Sequence, residues 1–447
     1  MRLKTCLGCG VVVLASLWLS LAHAADKAVL FENVFVFDGR SSERGRSPVN
    51  VLVVGDTIQT ISAAPIAPPA DAELTRVAGG GRTLMPGLID AHWHSMLIGQ
   101  KLVDAMTSDV GYTNLRAAQV AEATLMRGFT TVRDMGGPVQ GLRRAIEEGR
   151  FPGPRIFPSG AMISQTGGHG DFRLPHEVPR AASQGLSHTE LTRTAAIADG
   201  ADEVLRRTRE QLMLGATQIK LMAGGGVTSI YDPIDATQYT QDEIRAAVAA
   251  AENWGTYVTV HAYTSRAVQV AIEAGVKAVE HGQLVDEETV RLMAQKGIWW
   301  SLQPFLDNEL ANPQAGANRV KQLMVAAGTD RAYALARKHA VKVAFGTDIL
   351  FSGDNGEVQN ARLVSLERWY PPGEVLQIAT GNNGALLELT GERNPYRKPL
   401  GVVAEGALAD LLLVDGDPTA DLSLIKRPES SFVLIMKNGR IYKNLLP

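Results

Sequence analysis

The sequence predicts an α/β fold: a (β/α)8 barrel with a small composite β-sandwich formed by both chain ends. Three observations predict it. Eight short apolar stretches alternate with amphipathic helical patterns through the middle of the chain. Polar residues gather just after almost every one of those stretches. The two ends read as strands of alternating apolar and polar residues.

The chain starts with a segment that does not belong to the fold. Arg2 and Lys4 form a positive head, Val11 to Leu21 is apolar, and Ala22-His23-Ala24 is a small-residue cleavage site. Residues 1–24 are therefore expected to be a signal peptide, and the protein to be exported, to a periplasm. The apolar run is too short to span a bilayer, so no membrane association is expected after its removal. Both cysteines, Cys6 and Cys9, fall in this leader. The remaining chain can form no disulfide and offers no thiolate nucleophile or ligand. Net charge is −3 with no basic block, which argues against a nucleic-acid partner.

"AVLFENVFVFDG" and "VNVLVVGDTIQTI" follow, each broken by a turn signal at Asp38-Gly39 or Gly55-Asp56. The C-terminal stretches "ADLLLVDGDP" and "SFVLIMKNGRIYKN" look alike. We read residues 26–84 plus 398–447 as the sandwich and 85–397 as the barrel. Within the barrel the strand candidates are Leu88–Ala91, Thr130–Arg133, Arg155–Pro158, Gln218–Met222, Tyr257–Val260, Lys277–Glu280, Ile298–Ser301 and Lys342–Phe345. "NLRAAQVAEATLMRG" and "TQDEIRAAVAAAENWG" have helical periodicity, the second opening with a capping box from Thr240 to Glu243. A doubly wound open sheet is the alternative, but polar residues after nearly every strand suit a barrel mouth better. Ser159 to about Asp199 reads as one long irregular rim loop or lid.

The strand ends carry the chemistry. The first delivers "DAHWH", placing His92 and His94 two apart and on one face, able to share a metal. The fourth delivers Lys220, the fifth His261, the sixth His281 and the eighth Asp348. The chain has nine histidines, one of them in the leader, and four of the rest sit at strand ends. A lone strand histidine is more often a satisfied core residue than a ligand; the set at one barrel edge is what points to metal. Lys220 lies in an apolar strand ahead of three glycines. Its ammonium must find a partner or lose its charge. Pairing with Asp134 across the barrel is one solution. A phosphate loop at Gly224–Gly226 is disfavoured, because no Gly-Lys-Ser/Thr follows.

These segments together resemble the amidohydrolase superfamily. "MPGLIDAHWH" is similar to its first-strand motif, "IKLMAGGG" to its lysine strand, and "VTVHAYT", "AVEHG" and "FGTD" to its later ligand strands. "GVVAEGALADLLLVDGDP" resembles the return to the small β-domain. The likeness covers essentially all of the chain after the leader. It is closest to the dinuclear prolidase-like and imidazolonepropionase-like branch, which includes Xaa-Pro dipeptidases and ochratoxin amidohydrolases.

The resemblance implies a role for each residue. Two divalent metals, Zn2+ by default, would be held by His92, His94 and Asp348 and by His261 and His281. Lys220, carbamylated by CO2, and a hydroxide would bridge them. Asp348 would act as general base and then acid. Tyr263, two residues after His261, would donate to the developing oxyanion, or else be a wall residue. His169 in "TGGHGD" would contact substrate, or else order its loop. Asp134 would orient a ligand histidine, with Arg133 pointing the other way. The implied activity is dipeptidase- or carboxypeptidase-like release of an amino acid from an N-acyl amino acid or dipeptide, with ochratoxin-type amides included. The substrate is a small molecule or peptide, and a homo-oligomer is implied. Hydantoinase-like ring opening and an exported, non-catalytic metal-binding protein are the alternatives.

Overall fold

The computed structural model describes residues 27–178 and 185–447, so the expected leader lies outside the described residues. Eight parallel strands form the barrel: Leu88–Trp93, Phe129–Asp134, Arg155–Pro158, Ile219–Met222, Val258–Thr264, Ala278–Leu284, Trp299–Leu302 and Lys342–Phe345. The first, fifth and sixth run further than their apolar stretches suggest, because the strand itself carries the histidines to the mouth.

Two seams close the barrel without long ladders. Between the third and fourth strands, Thr217 N donates to Pro158 O (2.7 Å) and the Gln218 amide to Phe157 O (2.9 Å). Between the eighth and first, the Asn383 amide donates to both Ile89 O (2.7 Å) and Phe345 O (2.8 Å), while its oxygen accepts from Phe345 N. A buried primary amide can satisfy two unpaired strand edges at once, which a hydrophobic residue cannot.

The segment after the third strand is more regular than the sequence suggests. Met162–Ser164 and Ala195–Ile197 form a short parallel pair, and Ile163 joins Leu221 of the fourth strand. The break between Pro158 and Met162 turns at Gly160, whose φ of +74° favours glycine, and Ala161 N is taken up by the Gln211 side chain (2.9 Å). Strands this short show no readable periodicity. Elsewhere local signals act as expected: Thr240 caps the helix Gln241–Asn253, Glu243 N bonding its hydroxyl and Glu243 returning a bond to Thr240 N (2.7 Å).

Both chain ends build one sheet, in the order Arg440–Asn444, Phe432–Lys437, Leu411–Val414, Thr83–Pro86, Lys27–Val36, Val49–Val54, Thr57–Ser62, with Glu73–Ala78 also on Lys27–Val36. Its halves enclose a core including Phe31, Val51, Leu84, Leu413 and Leu434. The sandwich is tied to the barrel by a buried bidentate pair, Arg155 to Asp410 (2.7 and 3.1 Å). Among the described residues no helix is long and apolar enough to cross a membrane.

Candidate metal centre

His92 and His94 leave the first strand where its ladder to the second slips between Asp90 and Trp93. Such a bulge re-aims side chains at a strand end. Their rings lie 5.3 Å apart, and the Nε2 atoms of both stand 3.3 Å from Asp348 Oδ1. These three are the residues whose ligand atoms all fall within 4.8 Å of one another. His281 adjoins His92 (4.9 Å between rings) and His261 adjoins His281 (4.4 Å). Lys220 lines the same cavity. The expected residues are thus together, with His261, His281 and Lys220 beside the tight trio. Asp348 and His281 have φ of +49° and +74°, left-handed values that a non-glycine residue holds only where its surroundings impose them.

Each histidine is pinned through one nitrogen. His92 Nδ1 meets Glu280 Oε2 (2.8 Å), His94 Nδ1 the carbonyl of Gly136 (3.3 Å), His281 Nδ1 the amide oxygen of Gln303 (2.8 Å), and His261 Nε2 the carbonyl of Gly225 (3.1 Å). All four partners are acceptors, so in the neutral ring each pinned nitrogen carries the proton and the other presents a lone pair. Burial pushes His261 and His281 well below the usual range, which keeps them neutral. For His92 and His94 those lone pairs converge on a carboxylate oxygen. That arrangement is repulsive until a cation sits between them, so the donor set fits a metal ion.

Lys220 is 1% exposed. Among the described residues its ammonium has no hydrogen bond and no carboxylate within 4.0 Å; the pairing with Asp134 considered from the sequence is not formed. Asp134 instead accepts from Ser95 N (2.8 Å) and Gly136 N (3.3 Å), fixing the loop whose Gly136 carbonyl orients His94. Burial pushes the Lys220 amine down to about 8, so about a tenth of it is neutral at pH 7, far more than for a free lysine.

Beneath the histidines lies a buried ionic layer. Glu280 accepts from Arg133 Nη2 (2.6 Å), Thr259 Oγ1 (2.6 Å) and His92 Nδ1. Arg133 also donates to Ala91 O (2.6 Å) and the Tyr257 hydroxyl (3.0 Å). Arg133 therefore points into the barrel, contrary to the sequence expectation, and the carboxylate that orients a ligand histidine is Glu280 rather than Asp134. Glu280 and Gln303 were missed. For Glu280 a signal existed: like Lys220, it is a charged residue in an apolar strand, next to a candidate ligand.

His169 and Tyr263 also reach the site. His169 stacks on His261 (4.1 Å, 24°), and Tyr263 stacks on His281 (5.0 Å). His169 Nδ1 is buried without a partner, and burial pushes its pKa down to about 4. Burial holds the Tyr263 phenol well above its usual value, so it stays a donor. Two of the three glycines after Lys220 are explained by crowding. A Cβ on Gly225 would lie 1.9 Å from Pro233 O, and one on Gly226 1.9 Å from His169 Nδ1. Gly226→Ala is therefore expected to displace His169. About a 100-fold drop in kcat/KM with little change in bound metal would match a shift of about 1 Å in a positioned group. Unchanged kinetics would show that His169 takes no part.

A parallel barrel whose mouth gathers four oriented histidines, a carboxylate and an unpaired lysine has the make-up of a hydrolase that acts through metal ions. The chain belongs to the amidohydrolase family, which it matches over residues 83–443. It is 32% identical over 375 residues to the ochratoxinase of Aspergillus niger, covering 80% of this chain and 75% of that one. The crystal structure of A. niger ochratoxinase superposes with a TM-score of 0.81 at 27% identity, over 94% of this chain and 96% of that one. A prolidase complexed with N-methylphosphonate-L-proline superposes with a TM-score of 0.84 at 33% identity, over 94% and 100%. The chain is thus a hydrolase acting on C–N bonds.

Proposed function

We propose that this protein is an exported, dinuclear amidohydrolase that releases an amino acid from an N-acyl amino acid or dipeptide. The observation that carries this reading is the orientation of four histidines around one cavity, with the Nε2 atoms of His92 and His94 beside Asp348 and Lys220 lining the same space. His92, His94 and Asp348 would hold one divalent ion, and His261 and His281 the other. The neutral amine of Lys220 would add CO2, lose a proton and become an anionic ligand beside the histidines. Ions bound there would acidify water and polarise the scissile carbonyl.

The chain's own groups do the rest. Asp348 takes the proton from the attacking water and returns it to the departing amine nitrogen. Tyr263 donates its hydroxyl hydrogen toward the carbonyl oxygen as negative charge grows there, and His169 offers its ring N–H to the same region. Tyr263→Phe is expected to lower kcat by about 100-fold with KM nearly unchanged, the cost of one lost oxyanion donor. A normal kcat would assign Tyr263 to the wall.

Similarity to a prolidase and an ochratoxinase supports an amide bond flanked by a free carboxylate. Ochratoxin-type amides fall within the proposed substrate class. We also propose that the mature protein lies in the periplasm and forms a homo-oligomer. The test is a screen of the mature protein, reconstituted with Zn2+ and bicarbonate, against N-acyl amino acids, dipeptides, ochratoxin A and a hydantoin. Amino acid release is expected. Turnover of the hydantoin alone would move the protein to ring-opening chemistry. Bound metal with no turnover would make it a metal-binding protein.

A further inference from the structure

An exopeptidase-like amidohydrolase needs a cation for the substrate's carboxylate, and the cavity offers few. Among the described residues only two Lys or Arg side chains line it, Lys220 and Arg362. Lys220 is committed to the metal centre in the reading above.

Arg362 sits on the helix Gln359–Val364, which follows the Asp348 loop, and is 9% exposed. Its Nη1 donates to Thr347 O (2.9 Å), the residue before Asp348. Its Nη2 donates to Leu310 O (3.0 Å) on the cavity rim. Both partners are neutral carbonyls. No carboxylate of the described residues lies within 4.0 Å, whereas Arg155 at the barrel base and Arg133 inside it each have one. Asp348, Asp90 and Asp354 act on it only from a distance, a buried guanidinium without a contacting counter-anion is unfavourable, and two bonds leave most of its five N–H donors unused. The neighbouring walls are apolar: Leu97, Met162, Phe172 and Met222 on one side, Phe305 and Val325 on another. Those surfaces suit hydrocarbon; Asn308, Asn312 and Gln314 add neutral donors to the lining, and Arg362 adds the cation outside the metal centre.

We propose that Arg362 is the anchor for the substrate's free carboxylate, selecting acyl amino acids with apolar substituents over their uncharged analogues. The inference rests on the amide-hydrolase reading and names the residue that sets its specificity. A planar fork held at both ends by carbonyls is pre-oriented for an incoming carboxylate.

The experiment pairs an N-acyl phenylalanine with its carboxamide, on the reconstituted full chain and on Arg362→Gln and Arg362→Lys. Binding of free phenylalanine and phenylalaninamide is followed by calorimetry alongside turnover. The wild type is expected to prefer the acid by about 100-fold in kcat/KM and to bind phenylalanine but not its amide. In Arg362→Gln the acid-to-amide ratio should collapse to within a few-fold, mainly through KM, and Arg362→Lys should restore part of it. Equal loss on acid and amide would make Arg362 a clamp for the Leu310 rim and overturn the anchor, as would a preference that survives the substitution. Carboxylate-selective binding without hydrolysis would retain the anchor and refute the amide-hydrolase reading instead. If Arg362→Gln does not fold, absence of any wild-type preference for acid over amide, in turnover and in binding, is the overturning result.

Discussion

Lys220→Ala is expected to lose at least one bound metal per chain and about 1,000-fold or more in kcat. The proposal makes Lys220 the one protein ligand common to both ions, and no carboxylate of the described residues lies within 4.0 Å of its amine to replace it. The same side chain predicts a pH dependence. Only the neutral amine adds CO2, and burial places its loss of charge at about 8. At a fixed concentration of dissolved CO2, activation of metal-free protein by Zn2+ should therefore accelerate as pH rises toward 8 and level off above it. Activation that is independent of pH between 6 and 9, or full metal content in Lys220→Ala, would contradict the carbamate.

Glu280→Gln is expected to be the most destabilising single change near the site, by about 3–5 kcal/mol, the range for breaking a buried pair from one side. It leaves the Arg133 guanidinium inside the barrel without its counter-charge, and His92 without the carboxylate that fixes its tautomer. Metal content should fall with stability, because His92 Nε2 then no longer reliably presents its lone pair. Glu280 also has an acid signature. Burial alone would raise its pKa, but Arg133 foremost and His92 next outweigh that and hold it well below the ordinary 4.5. A depressed folded-state value gives stability that is full above about 4.5 and is lost as pH falls toward the folded value. Denaturant unfolding from pH 6 to pH 3 should show that loss in the wild type and a flatter profile in Glu280→Gln. Parallel profiles would mean that Glu280 is not the group titrating.

The candidate ligand residues were legible because each combines a polar side chain with a strand end, and the barrel brings strand ends together whatever lies between them. His92, His94, Lys220, His261, His281 and Asp348 all surround one cavity for that reason. The supporting contacts were less legible. Arg133 and Asp134 are neighbours, and alternation assigns them to opposite faces but does not say which faces the interior; the structure turns Arg133 inward to meet Glu280. Gln303 and Arg362 reach the site from a seventh-strand end and a helix, where no residue pattern marks them. The short pair Met162–Ser164 and Ala195–Ile197 was hidden for another reason: three residues carry no periodicity. The glycines after Lys220 suggested a loop, but their cause is spatial, the His169 ring lying against Gly226.

The most direct measurement is to load the metal-free mature protein with Zn2+ and 13C-labelled bicarbonate, count the metal per chain, and look for a carbamate carbon by NMR. The account predicts two ions per chain and one labelled carbamate that is absent from Lys220→Ala. One ion, no labelled carbon and undiminished amide hydrolysis would contradict it.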